Sequence, residues 1–316
     1  MAVGKAPSRR NLLLAAAPVG LLLGGPAGPA RGALPAPTAP LPPSRLAAPG
    51  RVVAIGDLHG DAAAFARALR LAGVYEVGTG WVGGQTVLVQ LGDVLDRGDQ
   101  EMGCLRLLRE VKRSAAACGG AVVSLLGNHE AMNAAGITYM ASPRAAAEFE
   151  DRATAFLPGS ALALELATWP VVCVVGDTAF CHAGLSVDDV VAGVEAINAR
   201  ASSWLRAEHG RSPPPDFLFP SRTNRGGPLW SRVLSDPPDT EPSKAACDDV
   251  RMALRRLGAA RLVVGHTVQQ RINCACGCSV FRIDVGLSAA MRNATPQVLE
   301  ILPGGVVNAL VEAQTA

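Results

Sequence analysis

Five short apolar runs, each followed by a residue that can bind a metal ion, constrain the fold of this chain more than any other feature. Four of the runs are rich in valine and end at a glycine, which is followed by Asp57, Asp93, Asn128 or His266. The fifth run leads directly into His182. Short apolar runs bounded by glycine are typical of buried β-strands. The sequence therefore predicts strands that each end at a potential metal ligand.

Segments with helical spacing separate the first three runs. Apolar residues recur at helical spacing within residues 61–71 and again within residues 102–111. Strands that alternate with helices in this way predict βαβ units, a parallel sheet and an α/β fold. We interpret Asp61 as the N-cap of the first helix. Apolar runs also flank Gly176 and Asp177, a pair that predicts a β-hairpin.

The predicted strand ends bring these polar residues to one edge of the sheet. In open α/β sheets, ligands bind at the carboxyl ends of the strands, and glycine lets the backbone approach a ligand closely. One such residue alone is more common in a turn, a helix cap or the core, but six in this pattern favour a metal site. Oxygen and imidazole ligands without a thiolate suit Mn, Fe or Zn. The predicted ligands are Asp57, His59, Asp93, Asn128, His182 and His266.

Several motifs resemble, in their order along the chain, the signature of the phosphoprotein phosphatase family of dinuclear metallophosphatases. They are GDLHG (56–60), GDVLDRG (92–98) and GNHE (127–130), followed by the histidine motifs CHAGL (181–185) and GHT (265–267). The segment VLVQLGDVLDRGD, the alanine of CHAGL and RIDVGLS (282–288) resemble the Shewanella-like branch, which occurs in bacteria, plants and algae. The chain lacks the HGG motif and the C-terminal tyrosine segment of the eukaryotic serine/threonine phosphatases, so their inhibitor sensitivity is not transferred.

The resemblance implies a calcineurin-like α/β fold in which helices flank two central mixed β-sheets. It implies two divalent metal ions, with manganese expected and iron or zinc as alternatives. Asp57 and His59 would hold the first ion, and Asp93 would bridge the two. The second ion would be held by Asn128, His182 and His266.

The same resemblance implies a catalytic set around these ligands. A metal-bridging hydroxide would attack phosphorus directly, and His129 would protonate the leaving oxygen as a general acid. Asp96 would orient His129, and Arg97 would bind phosphate oxygens with its planar guanidinium. We predict Arg232 as a second phosphate-binding residue, with Arg225 as the alternative. The expected substrates are phosphate monoesters on phosphorylated proteins, at serine and threonine or at tyrosine.

Three other functions remain open at this stage. A related branch with these motifs hydrolyses dinucleoside polyphosphates such as Ap4A, and a broad small-molecule phosphomonoesterase would need the same residues. A metal-binding interaction protein without activity is the third possibility, although it would have no need for His129, Asp96 and Arg97. Nucleic acid is not an expected partner, because the net charge is only +2 and a basic face is not indicated.

The N-terminal part of the chain is interpreted as a leader and not as part of the fold. Residues 1–33 combine basic residues, a short apolar stretch and no acidic residue, as in an export signal or an organelle transit peptide. A plastid is one destination, and no transmembrane span is expected after the leader is removed. Residues 34–50 are predicted as a linker rich in Pro and Ala, residues 51–305 as the catalytic domain and residues 306–316 as a C-terminal tail.

The eight cysteines leave more than one interpretation. Cys274, Cys276 and Cys278 alternate, which allows buried or loop thiols, a disulfide, or a metal or redox role. Cys173 and Cys181 are expected to point to opposite faces of the predicted hairpin, so they should not form a disulfide. Residues 205–245, rich in Pro, Arg, Ser and Asp, are predicted to lie over the surface near the site, or to form an insert without a role.

Overall fold

The valine-rich runs form the strands of two β-sheets. The computed structural model describes residues 41–48, 50–220 and 226–313 of the chain. The strands, in chain order, are β1 Arg45–Leu46, β2 Val52–Ile55, β3 Tyr75–Glu76, β4 Gly80–Trp81, β5 Val87–Gln90, β6 Ala121–Ser124, β7 Val172–Val175, β8 Thr178–Cys181, β9 Arg261–Val264, β10 Asn273–Ala275, β11 Val280–Arg282, β12 Gln297–Ile301 and β13 Val307–Val311.

Helices lie between these strands, and a polar residue begins several of them. Asp61 accepts a hydrogen bond from the backbone N–H of Ala64, so it caps the first helix as predicted. The helices are α1 Ala62–Leu71, α2 Glu101–Ala117, α3 Asn128–Ala134, α4 Pro143–Ala146, α5 Arg152–Phe156, α6 Ala161–Leu166, α7 Val194–Leu205, α8 Gly227–Trp230 and α9 Lys244–Leu257, with a 3-10 helix at Asp216–Leu218.

β3 and β4 pair with each other in a separate two-stranded sheet, and the other strands form two larger sheets. Both larger sheets mix parallel and antiparallel pairs, which confirms the predicted fold class. One has the order β13-β12-β2-β5-β6, in which β2, β5 and β6 are parallel. The other has the order β1-β7-β8-β9-β11-β10, in which β8, β9 and β11 are parallel. The predicted hairpin joins β7 to β8, with Val175 opposite Thr178. Because β2, β5 and β6 are parallel, their carboxyl ends lie at one edge of their sheet, and those of β8 and β9 do so in the other sheet.

The two sheets pack face to face, and helices cover their outer faces. Alternate strand residues such as Val52, Val89 and Val263 share one buried cluster that contains side chains of both sheets. Their neighbours, such as Val53 and Leu88, belong to a second cluster together with residues of α1, α2, α7 and α9. This layered core holds the strand ends rigidly.

The folded region is longer than predicted at both ends. In the predicted linker, β1 pairs with β7, and the carbonyl of Ser44 accepts a hydrogen bond from Val174. In the predicted tail, β13 pairs with β12 along five residue pairs. Pairing satisfies the backbone groups of β12, which would otherwise form the edge of the sheet. Residues 45–46 and 307–311 thus belong to the two sheets, on either side of the predicted limits 51–305.

The cysteines of one corner form two disulfides. Cys247 pairs with Cys276, and Cys274 pairs with Cys278. The structure thus selects disulfides for the triplet and adds Cys247 of α9. Cys173 and Cys181 are free and buried, so they do not form a disulfide with each other, as predicted.

In the described part of the chain, no helix is both long and apolar enough to cross a membrane. The predicted leader, residues 1–33, lies outside the described residues.

Candidate active site

The carboxyl ends of the parallel strands place all six predicted ligands in one cluster, which we call the metal cluster. Asp57 and His59 follow β2, and Asp93 follows β5 in the same sheet. Asn128 begins α3 after β6, and the second sheet contributes His182 after β8 and His266 after β9. Each of the six is at most 9% exposed.

Asp93 lies at the centre of this cluster. Its Oδ2 atom lies 3.3 Å from Nε2 of His182 and 3.7 Å from Nε2 of His59. Nε2 of His182 also lies 2.9 Å from Oδ1 of Asn128 and 3.2 Å from Nδ1 of His266. Asp57 accepts the backbone N–H of His266 at 3.2 Å. Donor atoms from both sheets therefore converge on Asp93.

Backbone carbonyls fix the orientation of two imidazoles. Nδ1 of His59 donates to the carbonyl of Leu95 at 3.2 Å, and Nδ1 of His182 donates to that of Leu91 at 2.8 Å. Such bonds select the tautomer and leave Nε2 to face the cluster, as in protein metal sites.

Several residues at the carboxyl ends of the strands have an uncommon backbone conformation. Among the described residues, ten non-glycine residues have a positive φ, and they include His59, Asp93, Asp96, Arg97 and His266. Strained backbone conformations of this kind are enriched at functional sites. Gly127 is required here, because a Cβ on this residue would lie 2.1 Å from Oδ1 of Asp93. A Cβ on Gly265 would lie 2.4 Å from Oδ1 of Asp57.

The electrostatics of the cluster match divalent cations. Burial and the nearby Asp284 raise the pKa of Asp57 well above its usual value. Burial lowers the pKa of His59 to about 4 and of His266 to about 2, which keeps both imidazoles neutral, the form that binds metal. Nε2 of His266 is buried without a hydrogen-bond partner in the described structure. Against the effect of burial, Asp93 and Asp57 raise the pKa of the third imidazole, His182, to about 10, so a metal ion would displace a proton there. Crowded carboxylates, two neutral imidazoles and an unpaired nitrogen fit divalent metal ions.

A second pair of residues adjoins the metal cluster. Nδ1 of His129 lies 2.6 Å from Oδ2 of Asp96, and Nε2 of the same ring lies 3.8 Å from Oδ2 of Asp93. Burial opposes protonation, but the charges of Asp93 and Asp96 outweigh it and raise the pKa of His129. The ring can therefore carry a proton on Nε2, the nitrogen nearer to Asp93.

Comparison with known proteins agrees with this geometry. The family model for the calcineurin-like phosphoesterases matches residues 50–270. The chain belongs to the calcineurin-like phosphoesterase family. Together with its Asp and His cluster, this membership makes it a metal-dependent phosphatase, so divalent metal ions are its cofactors.

Several relatives resemble this phosphoesterase over most of their length. Shewanella-like protein phosphatase 2 of Arabidopsis thaliana is 33% identical over 308 aligned positions, which cover 82% of this chain and 76% of the relative. Shewanella-like protein phosphatase 1 of Plasmodium berghei is 30% identical over 78% of this chain and 70% of the relative. Among solved structures, a cold-active protein tyrosine phosphatase of a psychrophilic Shewanella has a TM-score of 0.70. It is 22% identical, with 88% of this chain and 87% of that chain covered.

The two predicted phosphate-binding arginines border the cluster of this phosphoesterase on different sides. Arg97 is exposed, and its backbone N–H donates to the carbonyl of Met140 at 3.0 Å. Arg232 donates from Nη1 to Oγ1 of Thr267 at 3.0 Å, one residue beyond His266. The alternative, Arg225, lies outside the described residues. Arg232 thus brings part of the segment 205–245 next to the site.

Sequence reasoning missed several residues that support the site. Glu130 is completely buried, and its carboxylate accepts backbone N–H groups of Gly127, Asp93, Val94 and Leu95 at 2.8 to 3.1 Å. It therefore joins the two loops that carry Asn128 and Asp96. Its place in the motif GNHE was a signal that could have identified it.

A second missed group surrounds Asp96 and consists of Glu101, Asn133 and Arg152. All three hydrogen-bond to Asp96 or to its backbone. Asn133 lies four residues beyond His129 on α3, so helical spacing could have indicated it. Arg152 lies in a segment without any recognisable motif. We call Asp96, Glu101, His129, Asn133 and Arg152 the arginine cluster.

Proposed function

We propose that the protein is a dinuclear metallophosphatase that removes phosphate from phosphorylated protein side chains. The observation that carries this proposal is the position of His129, which contacts Asp96 through Nδ1 and faces Asp93 through Nε2. A metal-binding interaction protein would not need a proton donor aimed at its metal ligands.

Six residues provide enough donors for two ions. Asp57, His59 and Asp93 would hold one, and Asp93 would share the other with Asn128, His182 and His266. When bound, divalent cations would neutralise phosphate oxygens and lower the pKa of a water molecule toward neutrality. The carbonyls of Leu95 and Leu91 hold two of these imidazoles, those of His59 and His182, in place.

The side chains around the ions account for the rest of the reaction. Arg97 and Arg232 would bind the phosphate oxygens and align phosphorus with the attacking water. The attacking water has lost one proton to solvent, and a new P–O bond forms to its oxygen as the bond to the leaving oxygen breaks. The electron pair stays with the leaving oxygen, and His129 transfers its Nε2 proton to it. The products are the free hydroxyl side chain and inorganic phosphate.

The test uses the full chain, stripped of metal by a chelator and then supplied with Mn²⁺. Phosphoserine, phosphothreonine and phosphotyrosine peptides are assayed beside Ap4A and simple phosphomonoesters, with Asp93→Asn as the matched variant. We expect Mn²⁺-dependent phosphate release from a peptide and its loss in the variant. Metal titration should give two ions per chain.

Other results would reassign the function. Cleavage of Ap4A alone would place the protein among the dinucleoside polyphosphate hydrolases. Equal rates on peptides and on nucleotides would indicate a broad phosphomonoesterase. Tight metal binding without turnover of any substrate would support an interaction protein.

We also propose that the chain is exported or delivered to an organelle through residues 1–33. The pairs Cys247–Cys276 and Cys274–Cys278 support this proposal, because disulfides persist in oxidising compartments. The test is the N-terminal mass of the mature protein together with the location of a full-length chain tagged at its C-terminus. An intact N-terminus on protein retained in the cytosol would contradict it.

A further inference from the structure

We propose that Arg152 is a positioning residue for proton transfer, which holds Asp96 so that His129 points its proton at the leaving oxygen. This inference rests on the function proposed above. Arg152 does not face the substrate, since its side chain is only 5% exposed. It would act through Asp96.

All three guanidinium nitrogens of Arg152 make hydrogen bonds within the arginine cluster. Nη2 donates to Oδ1 of Asp96 at 3.0 Å, and Nη1 donates to Oε2 of Glu101 at 2.6 Å. Nε donates to Oδ1 of Asn133 at 3.0 Å, and the amide nitrogen of Asn133 donates to both oxygens of Asp96 at 3.1 Å. Arg152 therefore contacts Asp96 directly and through Asn133.

These contacts fix Asp96 from two directions. Oδ1 faces Arg152, so that Oδ2 is left for Nδ1 of His129. The backbone N–H of Asp96 donates to Oε1 of Glu101 at 2.7 Å, and Arg152 holds the same carboxylate. Asp96 also has a φ of 66°, a conformation that needs support from its surroundings. Without Arg152, the carboxylate of Asp96 could turn away from His129.

The guanidinium itself is held firmly. It packs against two aromatic rings, with its central carbon 5.3 Å from the centre of Phe149 and 5.2 Å from that of Phe156. A lysine would keep the charge, but it could not reach three acceptors with fixed geometry. This rigidity suits a residue that orients a proton donor.

A positioning role can be separated from a purely structural one by varying the leaving group. Phenyl phosphate releases a strongly basic phenolate that needs protonation, whereas 2,4-dinitrophenyl phosphate releases a weakly basic one that does not. Loss of proton transfer therefore slows only the first substrate. Loss of folded protein or of metal slows both equally.

The experiment compares Arg152→Met and Arg152→Lys with the unmodified chain, loaded with Mn²⁺. We expect kcat/KM for phenyl phosphate to fall about 100-fold in Arg152→Met, since general acids contribute about 100-fold or more. The value for 2,4-dinitrophenyl phosphate should fall less than about 3-fold. Arg152→Lys should recover part of the loss. In a His129→Gln background, Arg152→Met should have no further effect, because both act in one step.

Two further variants guard against misfolding. Arg282→Met removes another buried arginine, which bonds Asn273 and Thr240, and should leave the ratio of the two rates unchanged. If Arg152→Met fails to fold, the double variant Arg152→Met/Glu101→Gln is measured instead. It removes one charge of each sign from the arginine cluster. Equal loss on both substrates, or no loss, in a folded and metal-loaded variant would overturn the positioning role alone. Failure of the unmodified chain to hydrolyse either substrate would overturn the proposed function as well.

Discussion

The metal cluster and the arginine cluster are both buried groups of charged residues, and they adjoin each other through Asp93 and His129. In the arginine cluster, the guanidinium of Arg152 provides a counter-charge, and each of its nitrogens has an acceptor. Among the described residues, neither Asp57 nor Asp93 forms an ion pair with an arginine or lysine, and Nε2 of His266 has no partner. One cluster is complete by itself. In the other, the positive charge beside the carboxylates rests on imidazoles: against the effect of burial, Asp93 and Asp57 raise the pKa of His182 to about 10.

This difference separates two uses of buried charge. A carboxylate that is paired with an arginine and fully hydrogen-bonded holds a fixed geometry, whereas carboxylates crowded together without an arginine or lysine raise the free energy of the metal-free protein. Divalent cations supply more positive charge than the imidazoles do. We therefore expect the two clusters to respond in opposite ways to the same kind of substitution.

The largest effect should follow from Asp93→Asn. Asp93 lies within 3.8 Å of Nε2 in His59, His129 and His182, so its loss weakens the centre of the metal cluster. We expect kcat to fall about 1,000-fold or more, as for loss of metal-assisted catalysis. The measurement is phosphate release together with metal content. Full activity with an intact metal content would show that Asp93 is not a bridging ligand.

His129→Gln should have the next largest effect. The variant keeps a polar side chain beside Asp96 but cannot donate a proton as an acid. We expect kcat to fall about 100-fold for a phosphopeptide, while the number of bound metal ions stays the same. Metal analysis on the same sample serves as the control. A parallel loss of metal would instead assign His129 to the metal cluster.

Glu101→Gln tests the arginine cluster. Its carboxylate accepts two hydrogen bonds from Arg152 and one from the backbone of Asp96. The amide would remove one of the two carboxylates that pair with the buried guanidinium, so that the charge of Asp96 alone faces it. We expect the free energy of unfolding to fall by about 2 kcal/mol or more. Urea denaturation of the metal-free protein measures this free energy of unfolding. An unchanged midpoint would show that the pairing contributes little.

Asp57→Asn is the matched test of the metal cluster and should have the smallest effect on stability. The substitution removes a buried negative charge near Asp93 and Asp284. Among the described residues, no arginine or lysine forms an ion pair with Asp57. We expect the free energy of unfolding of the metal-free protein to change by less than about 1 kcal/mol, or to rise. With Mn²⁺ present, the unmodified chain should be the more stable of the two. A loss as large as that in Glu101→Gln would remove the distinction between the clusters.

The extent to which the sequence predicted the site depends on where each residue lies. The six predicted ligands lie within a few residues of strand ends, and parallel strands must end at one edge, so local pattern and topology suffice to bring them together. His129 and Asp96 lie within the same motifs. Arg152 is 56 residues from Asp96 in the chain, and nothing in its own segment marks it. Its role depends on how α5 packs beside α3.

The sequence by itself determined the α/β class, the strand ends and the chemistry of their side chains, because hydrophobic periodicity and short motifs act over a few residues. The tertiary structure decided what depends on distant contacts. It extended the sheets with β1 and β13, paired Cys247 with Cys276 and placed Arg152 against Asp96. Edge pairing, disulfide connectivity and buried ion pairs are chosen by which segments meet in space, and no local pattern encodes that choice.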